Sequence, residues 1–195
     1  MFAGKLSSAV GMLCGRFLRI MTITIGGVAR DDLLQQVKAV RSMFQHTTKN
    51  IDYPMFTTRD RQETVTLIDL SPADLDFTEE PRMDQIDEKR LTEWSATNLD
   101  GYIVEFCPAE VGPHLAIQYQ AQPKNETLSI AMKQLRDSYG LPCTFAVGRA
   151  ADGKLWFGCN WVNTTCEDTP TGRTFTICPL NCRLVFLLRK TNEGI

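Results

Sequence analysis

The chain has 195 residues, 21 Lys+Arg against 23 Asp+Glu, and a formal net charge of −2. Hydrophobic residues make up 43% and charged residues 23%, enough to bury a core without staples and unlike collagen, a coiled coil, a disordered chain or a disulfide-packed miniprotein. The near-neutral sum argues against a whole-chain polyelectrolyte binder of DNA.

That sum conceals a segregation. Residues 1–50 carry 7 basic and 2 acidic groups, residues 51–110 carry 5 and 15, and residues 111–195 carry 9 and 6. The expectation is that the acidic 51–110 segment and the basic, aromatic C-terminal sheet are separate contact surfaces, or neutralise each other in cis or in a homodimer.

At the start, Phe2, Leu6, Ala9, Val10, Leu13, Phe17 and Ile20 fall on one helical stripe, with Lys5, Ser8, Arg16 and Arg19 off it and no acid before Asp31. The expectation is an amphipathic helix docked on the core. Organelle targeting or membrane-surface contact by residues 1–20 is the alternative. No run approaches the ~20 apolar residues of a spanning helix. Phe17–Ile25 follows as a strand ended by Gly26-Gly27. Asp31 or Asp32 then caps a helix burying Leu33, Val37, Val40 and Phe44.

In the middle, Glu63–Leu70 reads as a strand and 71–90 as an acidic surface connection. Pro81 opens a helix running to about Asn98 and burying Ile86, Leu91 and Trp94. In the last part, Gly101–Cys107 and His114–Gln120 alternate as strands. Asn125–Tyr139 reads as a helix stopped by Gly140 and Pro142. Cys143–Arg149 with Lys154–Trp161, and Thr174–Cys178 with Cys182–Arg189, read as hairpins.

The predicted class is α+β: a mainly antiparallel sheet with helices packed on one face and a C-terminal order β-β-α-β-β-β-β. Three segments result, 1–50, 51–99 and 100–195, integrated as one domain.

Asp152-Gly153 suits a two-residue type I′ turn. That register sets Arg149 opposite Trp156 and gathers Phe145, Arg149, Lys154, Trp156 and Asn160 on one face. Arg183 of the second hairpin extends the field. A cation beside an indole on an antiparallel sheet is a way to stack single-stranded RNA.

Seven cysteines, an odd number, fit a reducing compartment such as the cytoplasm better than a secreted disulfide framework. Cys159, Cys166, Cys178 and Cys182 could hold zinc, but their spacing lacks the usual C-x2-C knuckle. Cys107 and His114 could form a nucleophilic pair, with no surrounding signature. Asp69, Asp74 and Asp76 lack the spacing of a calcium loop. No P-loop, dinucleotide fingerprint, G-x-S-x-G, redox CxxC or H-E-x-x-H occurs. The expected function is a non-enzymatic, soluble binding or adaptor protein acting on a protein partner or a second copy of itself, with no cofactor. A single-stranded RNA-binding module and a small cysteine-dependent hydrolase are the alternatives.

Overall fold

A computed structural model describes residues 7–13, 16–43, 56–133, 135–136, 142–160 and 178–191. In chain order these form β1 (Ser7–Leu13), β2 (Arg16–Ile25), α1 (Arg30–Val40), β3 (Ser42–Met43) and β4 (Glu63–Leu70). A 3-10 turn (Met83–Gln85) and α2 (Glu88–Asn98) follow. Then come β5 (Tyr102–Glu105), α3 (Val111–Gln118), β6 (Thr127–Ile130), β7 (Leu135–Arg136), β8 (Pro142–Arg149), β9 (Leu155–Asn160) and β10 (Leu184–Lys190). The class is α+β.

All the strands join one ten-stranded sheet of order β1-β2-β4-β10-β6-β8-β9-β3, with β5 added on β10 and β7 on β8. The sheet is mixed: β10 runs parallel to β6, and β3 runs parallel to β9. It draws strands from all three segments of the sequence.

Side chains alternate between the two faces of a strand, and here both faces are covered. Met21, Ile23, Ile25, Val65, Leu67, Val185 and Leu187 share one core cluster with Leu33, Leu34 and Val37 of α1 and Val111, Leu115 and Ala116 of α3. Leu18, Ile68, Leu70, Leu184, Phe186 and Leu188 form a second cluster with Leu91 and Trp94 of α2. The described helices therefore divide between the faces, where one covered face was expected.

Glu63–Leu70 is a strand as expected. Pro81 does not open the helix: a 3-10 turn intervenes, and α2 starts at an N-cap, Asp87, whose carboxylate accepts from the Arg90 N–H at 2.7 Å. α1 starts after Ala29, with Asp31 and Asp32 in the first turn beside the positive end of the helix. Phe44 lies outside the described residues.

Three further readings are corrected. Ser7–Leu13 is a strand paired with β2 from Ser7↔Thr22 to Leu13↔Arg16; tertiary pairing overrides the helical spacing there. His114–Gln120 is largely helix. α3 is buried nearly all round, so polarity along it carries no period to read. Asn125–Tyr139 holds β6 and β7. Leu128, Ser129, Ile130, Ala131 and Met132 are all buried, because β6 lies between β10 and β8. A continuous apolar run fits a two-faced strand as well as a helix. The C-terminal order is thus β-α-β-β-β-β-β among the described residues. Thr174–Ile177 lies outside them.

The β8–β9 hairpin is one residue out of the expected register: Gly148 faces Trp156 and Arg149 faces Leu155. The Gly153 N–H donates to the Ala150 carbonyl, and the Ala150 N–H to Lys154, which closes a three-residue loop. Gly153, at φ 88°, supplies the left-handed residue of its bulge. A slip of one flips a strand's faces relative to its partner. Phe145, expected on the open face, is fully buried and packs on Phe157 with ring centroids 5.1 Å apart. Trp156 lies flat over Gly148, where an added Cβ would come within 2.1 Å of the indole.

Gly148→Ala must displace Trp156. We expect a loss of about 1–3 kcal/mol in urea unfolding, shrinking in a Trp156→Ala background because the clash is then gone.

Candidate functional site

One side of β10 is shared by two strands. β6 pairs with Leu184 and Val185, and β5 pairs with Leu187 to Lys190. The chain leaving β5 meets the chain leaving β6 only at a bridge between Cys107 and Met132. A cavity of about 740 Å³ opens along this divergence. Its walls are residues 57–59, the first turns of α2 (Glu88, Leu91, Thr92), residues 103–110, Lys133, Leu135, Leu187 and Arg189.

The cleft has an apolar floor and a charged rim. Leu91, Val104, Cys107 and Leu187 are buried. Around them stand Arg59, Lys133 and Arg189 with Glu88, Glu105 and Glu110. Arg189 pairs with Glu105 at 3.1 Å. Glu110 is 1% exposed, accepts from the Arg59 backbone N–H at 3.1 Å, and pairs with the Arg59 guanidinium at 3.3 Å. Burial pushes its carboxyl above the ordinary range, and the two Arg59 contacts offset this in part. Arg59 also reaches Glu63.

Cys107 lies on this wall, but not as a nucleophile in waiting. Its thiol donates to the Val185 carbonyl at 3.4 Å, and burial pushes the thiol far above its usual range. His114 is engaged elsewhere: its Nε2 accepts from the Gly26 N–H at 3.1 Å. Burial brings His114 down to about 4, so the ring is neutral at pH 7.

The proposed aromatic-basic face is not assembled. Arg149 donates to the carbonyls of Gly153 (2.9 Å) and Gln122 (3.1 Å), so its charge ties the hairpin loop to the 122 segment. Lys154 pairs with Asp152. Asn160 closes β9 opposite Thr144; its side chain lies outside the described residues. Arg183 donates to Asp69 at 2.8 Å and to Asp74 at 3.2 Å.

The four-cysteine set is divided by the sheet. Cys159 packs against the first cluster, while Cys178 and Cys182 belong to the second. Cys166 lies outside the described residues. Among the described residues no group of three or more His, Cys, Asp or Glu side chains is placed to hold a metal ion.

Two buried polar centres were not foreseen: Asp69 was weighed only as a calcium ligand, and Arg41 was not weighed at all. Asp69 is 1% exposed and is held by Arg19, which also reaches Glu126, and by Arg183. A charge inside the run Leu67-Ile68-Asp69-Leu70 was the available signal, since a buried carboxylate needs a partner. Arg41 is also buried. It donates to the carbonyls of Ala116 and Tyr119 at the end of α3, to Gln122 (3.0 Å), and to the carbonyls of Gly148 (3.2 Å) and Trp156 (3.3 Å). Burial brings it down to about 10, so it stays a cation. No local pattern in the sequence announces it.

Two measurements test these assignments. Asp69→Asn leaves two arginines around a neutral group and should cost about 3–5 kcal/mol in urea unfolding. For His114, the folded value lies below the ordinary 6.5, so protons bind the unfolded chain better. Its contribution is complete above about 6.5 and lost as the pH falls to about 4. In His114→Gln, which keeps an acceptor for Gly26, stability should fall less over that interval. No family model, curated protein or solved structure matches the chain.

Proposed function

We propose that this chain is a non-enzymatic binding or adaptor protein that receives a segment of a protein partner in the cleft between α2, β5 and β10. The observation carrying this reading is the cleft itself: about 740 Å³, apolar at its base and rimmed by charges of both signs. That is the anatomy of a protein interface, an apolar centre inside a polar rim. A mixed rim suits a polypeptide, which offers both charges and backbone groups, better than a polyanion. The histidine and cysteine that could have supported hydrolysis are committed to structural hydrogen bonds. The RNA alternative loses its support, because Arg149 and Trp156 do not face each other. No helix among the described residues is long and apolar enough to cross a membrane.

Peptides selected from a display library on the native protein should bind in the cleft. Thr92 is exposed on its rim, so Thr92→Trp should plug it, weakening those peptides about tenfold (about 1.4 kcal/mol) with an unchanged unfolding midpoint. Peptide binding insensitive to Thr92→Trp would count against the cleft. Retention of a single-stranded oligonucleotide that Arg149→Ala weakens would favour the RNA reading instead.

A further inference from the structure

Cys178 and Cys182 are both thiols and sit at the two ends of a tight turn. The Cys182 N–H donates to the Pro179 carbonyl at 2.9 Å, and the Cys178 N–H to the Pro81 carbonyl at 2.8 Å. The Ala73 N–H donates to Leu180 at the tip, so the turn is fastened to its surroundings. The two side chains interact across this turn. Cys178 is fully buried, whereas Cys182 is half-buried and open to small molecules.

The surroundings distinguish the two sulfurs. The Cys178 thiol and the Ser129 hydroxyl donate toward Cys182, and the Arg183 guanidinium stands beside it; burial and Asp69 oppose them. The balance holds the Cys182 thiol below its ordinary range. Cys178 is pushed up by its interaction with Cys182, by burial and by Glu80. A half-exposed thiol of lowered pKa with a second, buried thiol across a short turn is an arrangement that oxidises selectively and reversibly.

We propose that, beside this binding role, Cys178 and Cys182 form a redox-sensitive thiol pair that a hydroperoxide oxidises, in which half-buried Cys182 attacks and buried Cys178 resolves. The Cys182 sulfur attacks the terminal oxygen of a hydroperoxide. An S–O bond forms, the O–O bond breaks, and the departing alkoxide takes a proton from water and leaves as an alcohol. Cys182 becomes a sulfenic acid. The Cys178 sulfur then attacks the sulfenic sulfur. An S–S bond forms, the S–O bond breaks, and hydroxide leaves as water with the Cys178 proton. The sulfur pair loses two electrons and the peroxide gains them. Two equivalents of a small thiol restore the reduced pair by exchange.

Trypsin cuts after Arg173 and Arg183, so both cysteines fall within one peptide. The reduced full-length chain is treated with one equivalent of hydrogen peroxide, alkylated, digested and weighed. The expected result is loss of two hydrogens and of both alkylations in that peptide, about tenfold sooner than half-buried Cys159 oxidises. In Cys178→Ser, a sulfenic acid should persist at Cys182 and be trapped by dimedone. In Cys182→Ser, Cys178 should stay reduced. Oxidation at the pace of Cys159, or a disulfide from either cysteine to another partner, would overturn the proposal. So would equally fast oxidation of Cys178 in Cys182→Ser.

Discussion

The structure turns on one buried carboxylate. Asp69 sits on β4 between β2 and β10, directly across from Arg19 and Val185. Arg19 on β2 and Arg183 just before β10 both reach it. An isolated carboxylate at that depth would cost far more than the domain's net stability margin, so both arginines must be in place when the strands close. The register of three adjacent strands follows. Hydrophobic alternation alone would allow a slip by two; the ion pairs select among the allowed registers. Arg19 also reaches Glu126 and Tyr119, which extends the same constraint towards β6.

This carboxylate also resolves much of the charge segregation. The acidic middle of the sequence meets its basic flanks inside the fold, where Asp69 pairs with Arg19 and Arg183, and at the cleft rim, where Glu105 pairs with Arg189. At the cleft, cations from residue 59, residue 133 and β10 stand beside acids from α2 and β5. The cleft exists because β5 and β6 compete for one side of β10 and neither covers it entirely.

How far the fold was legible depended on burial. β2 and β4 showed clear periods, as in the ETVTLIDL run, and the end and buried face of α2 were read, but its start was placed at Pro81 and its cap Asp87 was missed. α3 and β6 misled because elements buried on every side lose the contrast between faces that periodicity measures. The hairpin was located correctly and its register was not. Asp-Gly serves a two-residue loop or a three-residue bulged loop, and the choice here puts Trp156 over Gly148 and Phe145 in the core. The cleft had no sequence signal at all, since its walls come from residues 57–59, 88–92, 103–110, 133–135 and 187–189. That Cys178 and Cys182 flank one short loop was visible in the sequence. Their chemical asymmetry was not, because that comes from Ser129, Asp69 and Arg183.

β10 comes last in chain order among the described strands, yet it lies between β4 and β6. A ribosome-bound chain that has emerged only as far as residue 160 therefore holds two half-sheets with no strand to join them. Each exposes an edge with unpaired backbone groups, and β4 lacks the Arg183 partner of Asp69. Closure waits for a distant segment, so folding is slow in proportion to the sequence separation it must span. During synthesis those open edges are the chain's main exposure to chaperones and to misassociation.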